Sequence, residues 1–202
     1  MKNKIIFNDS FGLPLKGFCW SSDNPKANVI LVTGLNEYAS RYDSCAEFLN
    51  KNGYNVYCLD YYGQGENASK LSDLGIEPKD SFDRYVDAIN AYKVEIKNNN
   101  NLPVFYLGHS MGSFILQELI IRYPQATKKC ILIGTAGPQA ITKTGYHLLK
   151  LFTSDKNWDK PCVISATSQY EKKVKNVRYP CAWISYSEEN YIKYSKDPYT
   201  QY

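Results

Sequence analysis

The chain has no apolar run approaching the roughly 20 residues that a membrane-spanning helix needs. It has no C-x-x-C pair among its six cysteines, and no Gly/Ser/Pro-rich or single-sign charged stretch that would divide it into domains on separate linkers. Each absence removes a class of protein. Met1-Lys2-Asn3-Lys4 leads into only Ile5-Ile6-Phe7 before Asn8 and Asp9, too short a run for the apolar part of a secretory signal. A cytoplasmic location is the default, with at most peripheral contact at a membrane. The cysteines stand at 19, 45, 58, 130, 162 and 181; Cys58 and Cys130 lie inside apolar runs, as small hydrophobes do. Metal ions, disulfides and cofactors are therefore not expected. The net charge of +4 is scattered along the chain and not gathered into a stripe, which argues against a nucleic-acid partner. Gly63-Gln64-Gly65 lacks the third glycine and the lysine of nucleotide-binding loops.

What the chain does have is alternation. Ile5-Ile6-Phe7 and Leu15 to Trp20 read as two short strands around the turn-rich connector Asn8 to Gly12. Val29 to Val32 and Val56 to Leu59 are continuous apolar runs suited to strands buried on both faces. Arg41 to Asn52 reads as a helix between them, closed by Gly53. Asp80 to Lys97 carries a helical stripe at Phe82, Tyr85, Val86, Ile89, Tyr92 and Val94 or Ile96, and Asn98 to Asn101 reads as a polar surface loop with no packing value. A strand near residue 104, a helix over 113–123 stopped by Pro124, and the run Cys130-Ile131-Leu132-Ile133 complete a strand-helix series. This order predicts an α/β protein with a mostly parallel sheet covered on both faces. After Gly134 the periodicity weakens.

Gly108-His109-Ser110-Met111-Gly112 sits at the junction of one such strand and helix. Val104 to Leu107 lead in with β-branched and aromatic residues, and Phe114, Ile115, Leu116, Leu119, Ile120 and Ile121 follow at helical spacing. G-x-S-x-G in that context is a nucleophile elbow, with Ser110 at the corner. The glycines answer a steric demand, since a Cβ at either position would collide with a neighbouring strand or helix.

Three further segments accompany the elbow. Leu31-Val32-Thr33-Gly34-Leu35-Asn36-Glu37-Tyr38 with Arg41-Tyr42 is similar to the pattern V-H-G-x-x-E-H with R-Y, and Leu59 to Gly65 is similar to D-x-R-G-H-G. Ala182-Trp183-Ile184-Ser185 with Tyr194 to Pro198 is similar to a cap region. In these residues the chain resembles the α/β-hydrolase superfamily and, within it, the monoacylglycerol lipase and lysophospholipase-like branch, also called the serine aminopeptidase family. The resemblance implies an α/β-hydrolase core over 1–135 and a cap or lid over 136–202, inserted after the sixth strand. It implies a serine hydrolase of carboxylic esters, with a monoacylglycerol or lysophospholipid as substrate and an acyl-enzyme on Ser110. The backbone N–H groups of Leu35 and Met111 would form the oxyanion hole, each such donor being worth about 3 to 4 kcal/mol of transition-state stabilisation. Tyr146 to Phe152 would be the part of the cap that admits an acyl chain or touches a lipid surface. A serine peptidase of the same family, and a non-catalytic binding protein of the same fold, are the alternatives.

The chain also departs from the pattern. Triad members in this superfamily follow the order serine, acid, histidine. There are only two histidines, and the one after Ser110 is His147, within the apolar cap stretch. The only acid between them is Glu118, on the helix leaving the elbow; Asp155, Asp159 and Asp197 have no histidine after them. The triad acid and base are thus expected to lie outside this chain, together with the last core strands. Cys130 to Ile133 would then be an open sheet edge that invites self-association. Histidines of the family pattern are replaced by Thr33, Tyr38 and Gln64. His109 is expected to be a structural hydrogen-bonding residue beneath the elbow, Glu37 to pair with Arg41 four residues on, and Asp60 to belong to a structural turn.

Overall fold

One carboxylate organises the first turn of the chain. Asp9, 5% exposed, accepts the N–H groups of Phe11 and Leu13 through Oδ1 at 2.9 and 2.8 Å, an arrangement that Asp favours because its short side chain reaches its own backbone. Its Oδ2 takes Tyr62 Oη and Arg84 Nη2, both at 2.7 Å. Burial would raise the Asp9 pKa, but these hydrogen bonds hold it below its ordinary value. The turn joins β1 (Lys2–Asn8) to β2 (Pro14–Trp20), which pair antiparallel from Lys2 opposite Trp20 to Asn8 opposite Pro14. The hairpin expected from the sequence is present.

The computed structural model describes residues 1–137, 174 and 181–200. Within them β3 (Ala27–Val32), α1 (Asp43–Lys51), β4 (Tyr54–Leu59), α2 (Ser81–Asn100), β5 (Val104–His109), α3 (Met111–Arg122) and β6 (Cys130–Ile133) follow in order. The sheet runs β1-β2-β4-β3-β5-β6. β2 meets β4 antiparallel, and β4, β3, β5 and β6 are parallel to one another. Strand alternation divides the side chains between two cores. Ile30 and Val32 of β3 join Leu59, Tyr106 and the inner residues of α2 and α3 on one face; Val29 and Leu31 join Phe18, Trp20, Val56, Cys58 and Ala46 of α1 on the other. Ile30, Val32, Ile89, Ile115, Leu116 and Leu119 are at most 1% exposed, and burial of each such side chain contributes about 1.5 to 3 kcal/mol. α1 closes where Gly53, at φ +81°, donates its N–H to Asn50 O at 3.0 Å. That is the left-handed closure glycine permits at least cost.

One expectation needs correction, and two gain detail. The asparagine run is not an idle loop. α2 continues through Asn100, and Asn101 terminates it at φ +50° with its N–H on Lys97 O, a conformation asparagine tolerates better than most residues. Asn100 and the fully buried Asn28 form a reciprocal amide pair at 2.8 and 3.1 Å, and Asn55 Nδ2 adds a third bond to Asn28 Oδ1. In α2 the buried stripe passes through Ile96 and leaves Val94 49% exposed, because 85, 89, 92 and 96 keep the 3.6-residue period and 94 does not. In β6 the side chains alternate, with Ile131 and Ile133 58% and 46% exposed. Among the described residues β6 pairs with β5 alone, as an edge strand.

By internal packing the chain separates into two units, Met1–Ala136 and Gly137–Gln201. The described part of the second contains a single 3₁₀ turn at Ala182–Ile184, the helix α4 (Glu188–Lys196) and a 3₁₀ turn at Pro198–Thr200. Acidic Glu188 and Glu189 at the start of α4 and Lys193 and Lys196 at its end complement the helix dipole. Thr200 Oγ1 donates to Tyr194 O at 2.7 Å, and Asp197 Oδ1 accepts Tyr199 N–H at 2.9 Å, so the Asp-Pro step is a local turn. Tyr146 to Phe152, His147, Asp155, Asp159 and Cys162 lie outside the described residues. No helix among the described residues is long and apolar enough to cross a membrane.

Candidate active site

The chain bends sharply where β5 becomes α3. Ser110 has φ 51° and ψ −119°, a region that costs a residue with a Cβ about 1 to 3 kcal/mol and persists only where surrounding structure enforces it. Enforcement comes from both sides of the turn. Ser110 N–H donates to Ile133 O at 2.9 Å, and Ser110 O accepts Ser113 N–H at 2.9 Å and Ser113 Oγ at 2.6 Å. The flanking glycines fit the steric expectation. A Cβ at Gly108 would stand 2.6 Å from Gly112 O and 2.7 Å from Leu116 Cδ1, and one at Gly112 would stand 2.1 Å from Val32 O. α3 begins at Met111, two residues before the start expected from the sequence, because the elbow itself supplies the helix N-terminus. Ser110 is half-buried.

The turn after β3 presses against this corner. A Cβ on Gly34 would lie 3.2 Å from Ser110 Cβ and 2.6 Å from Glu37 Oε2, so Gly34 is held between the serine and a carboxylate. Leu35 follows, 56% exposed, and Asn36 turns the chain at φ 56°. The two backbone donors expected from the sequence are thus in neighbouring segments, Leu35 in this turn and Met111 at the first position of α3, where an N–H has no acceptor within its own helix. Among the described residues neither N–H has an acceptor.

Beneath the corner lies a polar cluster. Glu37, 8% exposed, receives at Oε2 the Gly34 N–H at 3.1 Å, Tyr42 Oη at 2.5 Å and His109 Nδ1 at 2.8 Å. Tyr42 Oη is also 2.8 Å from His109 Nδ1. Burial alone would raise the Glu37 pKa; the hydrogen bonds from His109 and Tyr42, the charge of His109 and the Gly34 N–H outweigh it and lower the value. The hydrogen bond to Glu37 in turn raises the pKa of His109 against its partial burial, and the Glu37 charge adds to the rise. His109 is the last residue of β5, next to Ser110, and its bond to Glu37 gives it the structural hydrogen-bonding role expected of it. The carboxylate of Glu37, expected to face Arg41, makes these bonds through Oε2 instead. Glu37 N–H donates to Gln64 Oε1 at 3.2 Å, which gives the residue at one replaced histidine position a definite task.

Asp60 serves the neighbouring loop. It is fully buried and accepts Ala39 N–H at Oδ1 (2.6 Å) and Glu66 N–H at Oδ2 (2.8 Å). Burial lifts its pKa to about 7 despite those two bonds. Its role is the structural turn expected of it. Sequence reasoning missed Tyr42 as a ligand of the Glu37 carboxylate, and Gln64 as the acceptor for its N–H. The available signal was the spacing Gly34-x-x-Glu37, which lets a side chain fold back on an N–H three residues earlier. Among the described residues no three His, Cys, Asp or Glu side chains converge on a point that could hold a metal ion.

The family described as Serine aminopeptidase, S33, matches residues 23–201. The chain belongs to this family. Relatives of this S33 chain include phospholipase YtpA of Bacillus subtilis (strain 168), 33% identical over 101 residues that cover 50% of this chain and 37% of that protein. A monoacylglycerol lipase of Mycolicibacterium smegmatis is 31% identical over 118 residues, 58% of this chain and 41% of that protein. The S33 chain therefore spans about two fifths of the length of these curated relatives. Among solved structures, a highly thermostable carboxyl esterase from Bacillus coagulans superposes with a TM-score of 0.82 at 20% identity, over 98% of this chain and 66% of that one. At that identity the likeness establishes the α/β-hydrolase fold, with its mostly parallel sheet.

Proposed function

We propose that Ser110 is the nucleophile of a serine hydrolase acting on carboxylic esters, with a monoacylglycerol or lysophospholipid as its substrate. The observation that carries this reading is the strained Ser110 at a glycine-flanked elbow, with the Gly34–Leu35 turn packed against its Cβ. Strain held by a backbone hydrogen bond and two steric locks points to a residue placed for chemistry. The lipase and phospholipase relatives favour an acyl ester over a peptide as substrate.

Ser110 Oγ would attack the ester carbonyl while its proton passes to a base. The tetrahedral oxyanion would be met by the N–H groups of Leu35 and Met111, and collapse would expel the alcohol and leave an acyl group on Ser110. Water would then release the fatty acid and restore the serine. The base and its carboxylate partner are not assigned to any residue of this chain. His109 is committed to Glu37 through Nδ1, and Asp60 to two backbone N–H groups.

A fluorophosphonate probe tests the assignment. The whole protein that contains this chain should be labelled and should hydrolyse a monoacylglycerol, and Ser110→Ala should abolish both. Labelling that survives Ser110→Ala, or a wild-type protein that neither labels nor turns over, would refute it.

A further inference from the structure

Glu37 does more than satisfy His109. One of its carboxylate oxygens gathers donors from three separate segments: Gly34 in the turn after β3, Tyr42 at the entry to α1, and His109 at the end of β5. Its own N–H is fixed by Gln64 from the loop after β4. Two loops and two segment ends therefore meet on a single buried residue. Gly34 is the residue clasped between that oxygen and Ser110, and Leu35, the proposed oxyanion donor, is next in the chain.

We infer that Glu37 is a positioning residue that fastens the Gly34–Leu35 turn to the His109–Ser110 corner, so setting where the Leu35 N–H stands relative to the serine. The inference rests on the hydrolase reading above for its consequence in catalysis, and on geometry alone for the clamp. A carboxylate suits the task because bonds to an ionised acceptor are roughly twice as strong as neutral ones. One oxygen can also serve several donors at once. The titratable groups in direct contact with the carboxylate are His109 and Tyr42, and both donate to it. Losing the clamp frees Gly34 to swing from the serine, and a displacement near 1 Å at a reacting centre is worth about a hundredfold in rate.

The test uses the whole protein with Glu37→Ala and Glu37→Gln. Amide hydrogen exchange at Gly34 reads the clamp directly, and hydrolysis of a soluble short-chain ester reads its effect on chemistry. For Glu37→Ala, Gly34 exchange should accelerate at least about tenfold, and kcat should fall about tenfold to a hundredfold with KM unchanged. Glu37→Gln keeps an acceptor oxygen of the same reach but not the charge, so it should recover part of both losses. If Glu37→Ala does not fold, the isosteric Glu37→Gln carries the test with an effect of about twofold to fivefold in each readout. Gly34 exchange unchanged in the folded variant, or faster exchange with kcat unaltered, would overturn the inference. A wild-type protein that hydrolyses no ester would instead remove the hydrolase reading, and the clamp would then stand or fall on Gly34 exchange alone.

Discussion

Gly112→Ala sets two known effects against each other. In the first turn of α3 alanine is the better helix former, by about 1 kcal/mol. Against it stands the carbonyl of Val32, 2.1 Å from where the new methyl must go, with Thr33 O at 2.6 Å. Ordinary contact for such a pair is about 3.4 Å, so helix and strand must part by more than 1 Å, and both obstructing atoms are backbone, one in the last residue of β3 and one in the residue after it. Overpacking of a tight site costs about 1 to 3 kcal/mol and sometimes more. Here α3 carries the fully buried Ile115, Leu116 and Leu119 with it, so the cost should reach or pass the upper end, at about 3 to 5 kcal/mol, and the net loss after the helix gain should be about 2 to 4 kcal/mol. Urea unfolding followed by far-ultraviolet circular dichroism measures it. Gly12→Ala is the comparison, because Gly12 has φ +80° with nothing within 4 Å of the added Cβ; it should lose only about 1 to 2 kcal/mol, from backbone strain alone. A Gly112→Ala variant as stable as wild type, or more stable, would show that helix propensity prevails and that the elbow glycine is not sterically required.

Stability should also depend on pH through the Glu37–His109 pair. The Glu37 pKa is lowered from 4.5, so its contribution is present above that value and is lost as pH falls through the folded pKa. The His109 pKa is raised from 6.5, so its contribution is full below that value and is lost as pH rises through the folded pKa. The stability difference between wild type and Glu37→Gln should therefore peak between 4.5 and 6.5, and a flat difference across denaturation curves from acid to alkaline pH would contradict the pairing. Asn28→Ala should cost about 2 kcal/mol in urea unfolding, because it strips Asn55 and Asn100 of their shared partner; a loss within experimental error would mean that the amide cluster is replaced by water without penalty. Tyr106→Phe should be neutral or stabilising by up to about 1 kcal/mol, since the buried Tyr106 hydroxyl has no hydrogen-bond partner among the described residues; a clear fall in melting temperature would reveal an acceptor at that hydroxyl.

What the sequence made legible was whatever is encoded within a few residues. The elbow announces itself because strand, corner and helix occupy neighbouring positions, and the two glycines report contacts that any serine held there must avoid. The apolar runs at Val29 to Val32 and Val56 to Leu59 announce buried parallel strands by composition alone. The polar ties could not be read in the same way. His109 and Glu37 are 72 residues apart, as are Asn28 and Asn100, and Arg84 reaches Asp9 across 75. A single asparagine or glutamate carries no period that would show which distant donor it meets. The four-asparagine run is a case in point: its composition suggests solvent, and only the position of β3 beside the end of α2 gives Asn100 the buried Asn28 as a partner. The site was legible as a serine and its local frame, and its underpinning was not.

The bond from Ser110 N–H to Ile133 O ties the serine to strand register. Ile133 is the last residue of the four-residue strand β6, which pairs with β5 from Cys130 opposite Tyr106 to Ile133 opposite His109. A slip of β6 by one residue would carry that carbonyl about 3.3 Å along the strand, and the Ser110 N–H would lose its acceptor. The place of the serine is therefore set by how two strands are aligned as well as by the five residues of the elbow.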